Sequence, residues 1–299
     1  MDLKKYNHTV YVPESLCLYD KHINEKTLKF FEQLEGLCKP DANQIKVDFS
    51  GLEFMSAAAA NYLFAIFMYY QINLSNSLFT IRLPKNTKQR KLFIDSGLHR
   101  ALKAGGTKKV KSLWDSSDFL CGDHADRTKL LKTVKERCGV SPFPDKLATA
   151  IRETFLNVHH HAYSKMQNST PLTWFCYFYV NEDENGRFLS IVVQDLGQGM
   201  VNSIKDAFPE YSAKSDKDCI QYAMTKSVSS THIEGRGKGS FDIQKPLIFN
   251  RVKGNDNLYV MSGSGCYIFS VSDENKEFFS HGALENYIRG TLVEWTLYY

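Results

Sequence analysis

The sequence contains no apolar run long enough to span a membrane. Its most apolar stretch, 57–70, is interrupted by Asn61 and is shorter than the roughly 20 residues that a transmembrane helix requires. The N-terminus also lacks a basic segment followed by an apolar run, so no signal peptide is expected. We therefore predict that 57–70 is a buried helix, with a homodimer interface as the alternative use of this helix.

Charge and cysteine usage exclude further classes of protein. The formal net charge is only +4, which does not indicate a general nucleic-acid-binding protein. The seven cysteines include no Cys-x-x-Cys pair, so we expect neither a disulfide framework nor a zinc site. This cysteine usage fits a reducing compartment, and we therefore expect a cytoplasmic location. A composition of 43% hydrophobic and 23% charged residues is typical of globular proteins, and the 299 residues suffice for about two domains.

The first part of the chain alternates between strand and helix patterns. The patterns predict a strand at 9–12, a helix at 24–38, a strand at 45–49, the apolar helix from 57, a strand at 78–83 and a helix at 88–96. Pro40 and Pro84 end two of these elements, and Gly97 suits the left-handed position after a helix. This order of elements predicts a small α/β sandwich.

Two segments of this region resemble a known family. The central motif of STAS domains, the fold of bacterial anti-anti-sigma factors, is similar to Val47-Asp-Phe-Ser-Gly-Leu-Glu-Phe-Met-Ser-Ala-Ala-Ala, and the family's last helix is similar to Lys91-Leu-Phe-Ile-Asp-Ser-Gly-Leu. The resemblance implies a STAS-like domain at residues 1–120. We expect it to dock a protein partner or to be a structural module, and not to be a phosphorylation switch. The family's phosphorylated serine is matched by Ala58, whose methyl group accepts no phosphoryl group, and the nearby Ser56 remains an alternative acceptor.

A basic stretch follows at 82–111, where Asp95 is the single acidic residue. It is either an anion- or nucleic-acid-binding patch, or a solvated helix face that continues into a flexible linker at 104–111. Because the lysine-rich part has no interleaved aromatic residues, we favour the second interpretation. A linker at 121–139 is predicted to lead into a second domain at 140–299.

The second domain is predicted to begin with a helix near Pro144, because proline is tolerated at the first helical position. An apolar stripe with helical spacing runs along it: Leu147, Ala150, Ile151, Thr154 and Val158. Glu153 and Asn157 are four residues apart and share a neighbouring face with His160 and His161. A polar face beside a buried stripe indicates the wall of a binding site.

A glycine motif follows the strands predicted at 172–180 and 188–194. It reads Asp195-Leu-Gly197-Gln-Gly199, and its glycines permit positive φ and close approach of the backbone to a ligand. A carboxylate at a strand end accepts hydrogen bonds, so Asp195 is able to recognise an exocyclic amine such as that of adenine.

A second glycine motif opens a predicted helix. It reads Gly235-Arg-Gly237-Lys238-Gly239-Ser240. Backbone amides at a helix N-terminus favour phosphate, and Arg236 and Lys238 add positive charge. The motif therefore predicts a phosphate-binding loop.

The order of the motifs resembles the GHKL ATP-binding superfamily, which includes gyrase, a heat-shock chaperone, histidine kinases and MutL. Glu-x-x-x-Asn-x-x-x-His-Ala is followed by Asp-x-Gly-x-Gly, by Gly-x-Gly-x-Gly-Ser and by Gly290-Thr291. The resemblance implies that 140–299 forms a Bergerat-type α/β sandwich with a mixed, largely antiparallel sheet. It also implies that the ligand is Mg-ATP and that 202–234 is a lid loop. The sequence pattern itself predicts a helix at 218–225 within this segment.

The resemblance assigns roles to the matching residues. Asn157 is implied to bind the Mg²⁺ that bridges the phosphates, and Asp195 to bind adenine. Further nucleotide contacts are implied for Gly197, Gly199 and Thr291 at the base, and for Gly235, Gly237, Lys238, Gly239 and Ser240 at the phosphates.

Glu153 matches the glutamate that activates the attacking group in ATP-hydrolysing branches and in anti-sigma-factor kinases. A carboxylate one turn before the Mg²⁺ ligand is able to accept a proton from a nucleophile. His161 matches the motif histidine. The three consecutive histidines 159–161 point in different directions, so they are not expected to bind one ion.

We therefore expect an ATP-binding regulatory protein that hydrolyses ATP slowly or transfers its phosphate to a serine of a partner, resembling anti-sigma-factor kinases. One alternative is a non-catalytic ATP-sensing scaffold. The other is an ATP-gated clamp acting on DNA or a client protein. Clamp families carry a transducer domain after the ATP domain, and the sequence ends at Tyr299, so the regulatory function is favoured.

Overall fold

The structure is a computed structural model that describes residues 8–163, 170–225, 239–250, 252 and 254–299. The chain forms two compact units, Met1–Cys121 and Gly122–Tyr299. Both units combine helices and strands, and the second contains an antiparallel sheet. The chain is therefore of the mixed α/β class.

The first unit is built on short parallel strands. They are His8–Tyr11 (β1), Ser15–Leu16 (β2), Ile45–Asp48 (β3), Phe54–Met55 (β4) and Phe79–Arg82 (β5). β3 lies between β1 and β5, and β2 pairs with β4. The helices are Lys21–Leu37 (α1), Ala57–Asn73 (α2), Thr87–Asp95 (α3), Leu98–Leu102 (α4) and Val110–Ser116 (α5). The elements predicted up to Gly97 are present with ends shifted by a few residues, and Gly97 has a left-handed φ of 81°.

Helix α2 is buried around its circumference, as predicted for the apolar stretch. Leu63 and Ile66 are fully buried, and the ring of Phe67 stacks on Phe79 with centroids 4.1 Å apart. A helix that is apolar on all faces packs inside a core. Ser56 caps this helix, because its Oγ accepts a hydrogen bond from Ala59 N (3.3 Å).

The end of the basic stretch is folded, so the expected flexible linker was wrong. Gly106–Lys109 forms a 3₁₀ helix that continues into α5. Lys109 is 8% exposed, and its Nζ donates to Gln71 Oε1 (2.6 Å) and to the carbonyls of Ala101 and Lys103. A buried ammonium is tolerated when its N–H groups find oxygen acceptors. Composition does not reveal such acceptors.

The second unit is organised around long antiparallel strands. Phe119–Gly122 (β6) ends at the boundary and is followed by Trp174–Asp183 (β7), Gly186–Gln194 (β8), Asn257–Val271 (β9) and Glu277–Tyr298 (β10). The strand order is β6-β7-β8-β10-β9. The helices are Arg127–Arg137 (α6), Leu147–Asn157 (α7), Gly199–Ala207 (α8), Asp216–Thr225 (α9) and Gly239–Phe249 (α10). No helix in the described part of the chain is both long and apolar enough to cross a membrane.

The segment 121–139, predicted to be a linker, instead contains the end of β6 and helix α6. Asp123 Oδ1 accepts a hydrogen bond from Ala125 N (2.8 Å), which starts the helical turn that precedes α6. The apolar residues Leu130 and Val134, one turn apart, are buried. These few apolar positions are surrounded by lysine and arginine, so the helix pattern is weak in the sequence.

The pairing of β8 with β10 positions the candidate site. Gln194, the last residue of β8, lies opposite Leu292. The residues just beyond this pair, Asp195 and Thr291, are therefore adjacent. The register between β9 and β10 shifts between Ala283 and Thr291, so β10 is irregular directly before the site.

Candidate functional site

The carboxylate of Asp195 is held by backbone amides at the end of β8. Its Oδ1 accepts a hydrogen bond from Gly197 N (2.8 Å), and its Oδ2 accepts one from Thr291 N (3.2 Å). Asp195 is 3% exposed, and this burial raises its pKa to about 7, although the amides and Arg289 favour the charged form. Each carboxylate oxygen has a second lone pair, so the group retains capacity for a ligand donor.

Thr291 is tied to the start of α8. Its Oγ1 accepts a hydrogen bond from Met200 N (2.8 Å). The preceding Gly290 has a φ of 76°, and a Cβ there would lie 2.0 Å from Asp195 O. Only glycine therefore lets β10 pass this close to Asp195.

The loop after β8 also packs tightly. A Cβ on Gly197 would lie 2.1 Å from Ala162 O, and the same carbonyl accepts a hydrogen bond from Gln198 N (2.8 Å). Gly199 has a φ of 79°, and a Cβ there would lie 2.6 Å from Ser262 Oγ. This loop is therefore fixed against the helical segment that ends at Ala162.

Helix α7 begins at Leu147, later than the start predicted near Pro144. Pro144 O accepts a hydrogen bond from Leu147 N in a turn, and Lys146 has a left-handed φ of 64° that cannot belong to a helix. The predicted apolar stripe is confirmed, because all its members are buried: Leu147, Ala150, Ile151, Thr154 and Val158.

Glu153 and Asn157 face the N-terminus of α10. Gly239 is the first residue of that helix, and a Cβ there would lie 3.4 Å from Glu153 Oε2 and 3.9 Å from Asn157 Oδ1. The free amides of a helix N-terminus favour anions. A carboxylate, an amide oxygen and a helix N-terminus therefore surround one small region. A π-helical turn, Val158–Ala162, continues α7 from this region to the loop after β8.

Two charged residues of α10 were missed by the motif analysis. Lys245 Nζ forms an ion pair with Asp242 Oδ1. Burial and the charge of Asp242 raise the pKa of Glu153, and Lys245 opposes this effect. The available signal was the spacing of Asp242 and Lys245, three residues apart just inside a helix that opens with glycine.

The expected phosphate loop is only partly described. Gly235, Gly237 and Lys238 lie outside the described residues. Gly239 and Ser240 form the first turn of α10. The Oγ of Ser240 is buried and has no hydrogen-bond partner among the residues described.

The segment expected to be a lid, 202–234, is helical over most of its described part. It contains most of α8 and all of α9, which packs against β9 so closely that a Cβ on Gly265 would lie 2.8 Å from Asp216 C. The helix predicted at 218–225 is confirmed as part of α9, whereas the loop predicted before it is wrong because that part contains most of α8. Residues 226–234 lie outside the described part of the chain.

The consecutive histidines make different contacts. His159 stacks on His124, which precedes α6, with ring centroids 3.8 Å apart. The rings of His160 and His161 are 6.2 Å apart and tilted. Within the described ranges, no group of three or more His, Cys, Asp or Glu is placed to hold a metal ion.

The structure thus forms two groups of residues joined through the π-helical turn. The first group is Asp195, Gly197, Gly199 and Thr291, and the second group is Glu153, Asn157, Gly239 and Ser240. The amide and carboxylate oxygens of the second group are the hard ligands that Mg²⁺ prefers. No protein-family model and no curated protein matches the chain.

Proposed function

We propose that the second unit binds Mg-ATP and that the chain is an ATP-dependent regulatory protein of the GHKL class. The observation that supports this most is the combination of a buried strand-end carboxylate, Asp195, with a helix N-terminus beside Glu153 and Asn157. Adenine offers an amine donor for the carboxylate, and a triphosphate offers anionic oxygens for the helix N-terminus. One ligand with two chemically different ends accounts for both groups.

The first group is proposed to bind the adenine. Asp195 accepts the exocyclic amine, and Gly197 and Gly199 let the base approach the backbone. Thr291 Oγ1 accepts from Met200 N, so its hydroxyl hydrogen is available for a water or the base. These contacts orient the nucleotide without taking part in phosphate chemistry.

The second group is proposed to hold the phosphates and Mg²⁺. Asn157 Oδ1 supplies one oxygen ligand, which fits an ion that usually takes few protein ligands and keeps several waters. Gly239 leaves space between the helix N-terminus and Glu153 Oε2. Ser240 Oγ, unpartnered among the described residues, is the kind of buried polar atom that a phosphate oxygen would satisfy. Bound Mg²⁺ would neutralise and orient the phosphates.

Glu153 is proposed to be the proton acceptor. Its carboxylate takes the proton that a water or a partner's serine hydroxyl loses as its oxygen attacks the terminal phosphorus of ATP. The bond from that phosphorus to the bridging oxygen breaks, and ADP leaves. Burial and Asp242 raise its pKa, which strengthens it as a base near neutral pH. Glu153 therefore decides between turnover and simple binding.

The first unit is proposed to dock the protein partner, on the basis of its STAS-like segments and its parallel strands. The serine that receives the phosphate is proposed to belong to that partner. All seven cysteines are free of disulfides, which supports a proposed cytoplasmic location.

The decisive experiment compares Glu153→Gln with the wild type and with Glu136→Gln, a control on the exposed face of α6. Mg-ATP affinity, measured by isothermal titration calorimetry, should change by less than about twofold in either variant, since Glu153 is proposed to accept a proton from the nucleophile and not to bind the nucleotide. Turnover of radiolabelled ATP should be abolished only in Glu153→Gln.

A wild-type chain that fails to bind Mg-ATP would reject the proposed function. Unchanged turnover in Glu153→Gln would show that this residue is not the proton acceptor. ATP binding without turnover in the wild type, with or without a partner, would favour the sensor scaffold.

A further inference from the structure

Asp216, the first residue of α9, joins three segments of the second unit. Its Oδ2 accepts hydrogen bonds from Ser264 N (2.8 Å) and Ser264 Oγ (3.0 Å) on β9. Its Oδ1 lies 2.7 Å from Lys205 Nζ on α8. The two side chains are only 18% and 29% exposed, so this ion pair is partly shielded from solvent. Such pairs are stronger than ion pairs on an open surface.

Strand β9 is shaped to receive Asp216. Gly263 has a φ of 60°, and a Cβ there would lie 2.5 Å from Asp216 Oδ2. A Cβ on Gly265 would lie 2.8 Å from the backbone of Lys217. Any side chain at either glycine would push α9 away from the strand. In β9, Ser264 thus binds the Asp216 carboxylate, and the glycines on either side of Ser264 leave room for Asp216 and for the start of α9.

Helix α8 connects the ion pair to the first group of site residues. Lys205 lies near its C-terminal end, and Met200, which donates to Thr291 Oγ1, lies at its start. A helix of nine residues spans only about 14 Å and moves as a rigid rod. Fixing Lys205 therefore also fixes the direction from which Met200 meets Thr291.

We propose that Asp216 is a positioning residue for recognition of the base. It holds Lys205 and Ser264, and through α8 it sets the geometry at Thr291, without touching the nucleotide. The inference rests on the proposed function and adds a residue to it. Because the second group of site residues lies on α7 and α10, Asp216 should control binding of the base and leave binding of the phosphates unchanged.

The test compares Asp216→Ala with Asp218→Ala, a matched control on α9 whose carboxylate bonds to Ser215 Oγ at an exposed position. Affinities for Mg-ATP and for Mg-tripolyphosphate, which lacks a base, are measured by calorimetry on the full chain. Asp216→Ala should lower Mg-ATP affinity by up to about tenfold, because binding must then order α8 at a cost comparable to the lost charged hydrogen bond. Tripolyphosphate affinity should change by less than about twofold.

Lys205→Met serves as a second variant because it removes the ion pair and keeps the bonds to Ser264. It should reproduce part of the loss of ATP affinity. In the ligand-free chain, both variants should speed amide hydrogen exchange in α8 relative to Asp218→Ala.

Two results would overturn the inference. One is an unchanged Mg-ATP affinity in Asp216→Ala, and the other is an equal loss for both ligands, which would indicate general destabilisation. A wild-type chain that binds no Mg-ATP would reject the proposed function, and the exchange rates of α8 would then show separately whether Asp216 anchors the helix.

Discussion

Asp195 and Thr291 are joined by two hydrogen bonds that run in opposite directions. Asp195 N donates to Thr291 O (3.0 Å), and Thr291 N donates to Asp195 Oδ2 (3.2 Å). The first bond is independent of protonation, whereas the second is strongest when the carboxylate is charged. Because burial raises the pKa of Asp195 to about 7, its charge changes in the neutral range.

Asp195 should make the stability of the second unit depend on pH. Its pKa rises from 3.8 to about 7 on folding, so between these values the folded chain binds more protons than the unfolded chain. The stabilisation is complete below pH 3.8 and is lost as the pH rises through 7. Between these values the free energy of unfolding falls by about 1.4 kcal/mol per pH unit. Asp195→Asn should flatten this slope, and the exposed Asp206→Asn should keep it.

The free energy of unfolding of the second unit can be measured at each pH by urea denaturation of fluorotryptophan-labelled protein, followed by fluorine NMR. Trp174 and Trp295 lie in this unit and report on it. The proposed binding of ATP supplies a second measurement. An adenine amine favours the charged carboxylate, so binding near pH 7 should release protons in the wild type and none in Asp195→Asn. Calorimetry in buffers of different ionisation enthalpy detects the release, and its absence in the wild type would contradict the adenine contact.

Gly290→Ala should abolish nucleotide binding and destabilise the second unit. The new Cβ would lie 2.0 Å from Asp195 O, and the φ of 76° is strained for alanine. Steric strain of this kind costs about 1–3 kcal/mol or more. Gly282→Ala on the same strand is the control, because its Cβ would meet nothing within 4 Å. Equal thermal unfolding temperatures for the two variants would contradict the close approach of β10 to Asp195.

Lys109 should give the first unit the opposite pH dependence. Burial lowers its pKa from 10.5 to about 7, so between these values the unfolded chain binds more protons than the folded chain. The free energy of unfolding of the first unit should therefore rise with pH above 7. Lys109→Met should remove this slope, and the exposed Lys108→Met should leave it. The fluorine signal of Trp114 reports on this unit, and a slope that persists in Lys109→Met would assign the effect to another group.

Local sequence patterns were sufficient to predict features that depend on a single helix or strand. The stripe from Leu147 to Val158 lies within one helical segment, and Gly97 follows the C-cap residue of α3, so both were predictable. Strand β9 was not predicted, because Gly263 and Gly265 interrupt its alternation and its pairing partner is distant in sequence. Helix α6 was missed for a different reason, since its few apolar residues are separated by charged ones.

In the candidate site, too, contacts within one sequence motif were predictable and contacts between distant elements were not. Asp195 and Gly199 belong to one short motif, so their proximity was implied by the sequence. The approach of Gly239 to Glu153 depends on how α10 packs against α7, and the bonds between Asp216 and Ser264 join residues 48 positions apart. Contacts of this kind follow from tertiary packing, which no local pattern encodes.

The π-helical turn after Asn157 has a consequence for insertions and deletions. One residue rotates an α-helix by about 100°. Deleting a single residue between Asn157 and Ala162 would turn the carbonyl that receives Gln198 N away from its partner. Such a chain would keep both glycine motifs intact, yet the two groups of site residues would no longer face the same region. The length of this turn, separately from the identity of its residues, would therefore set how the two groups of site residues face each other.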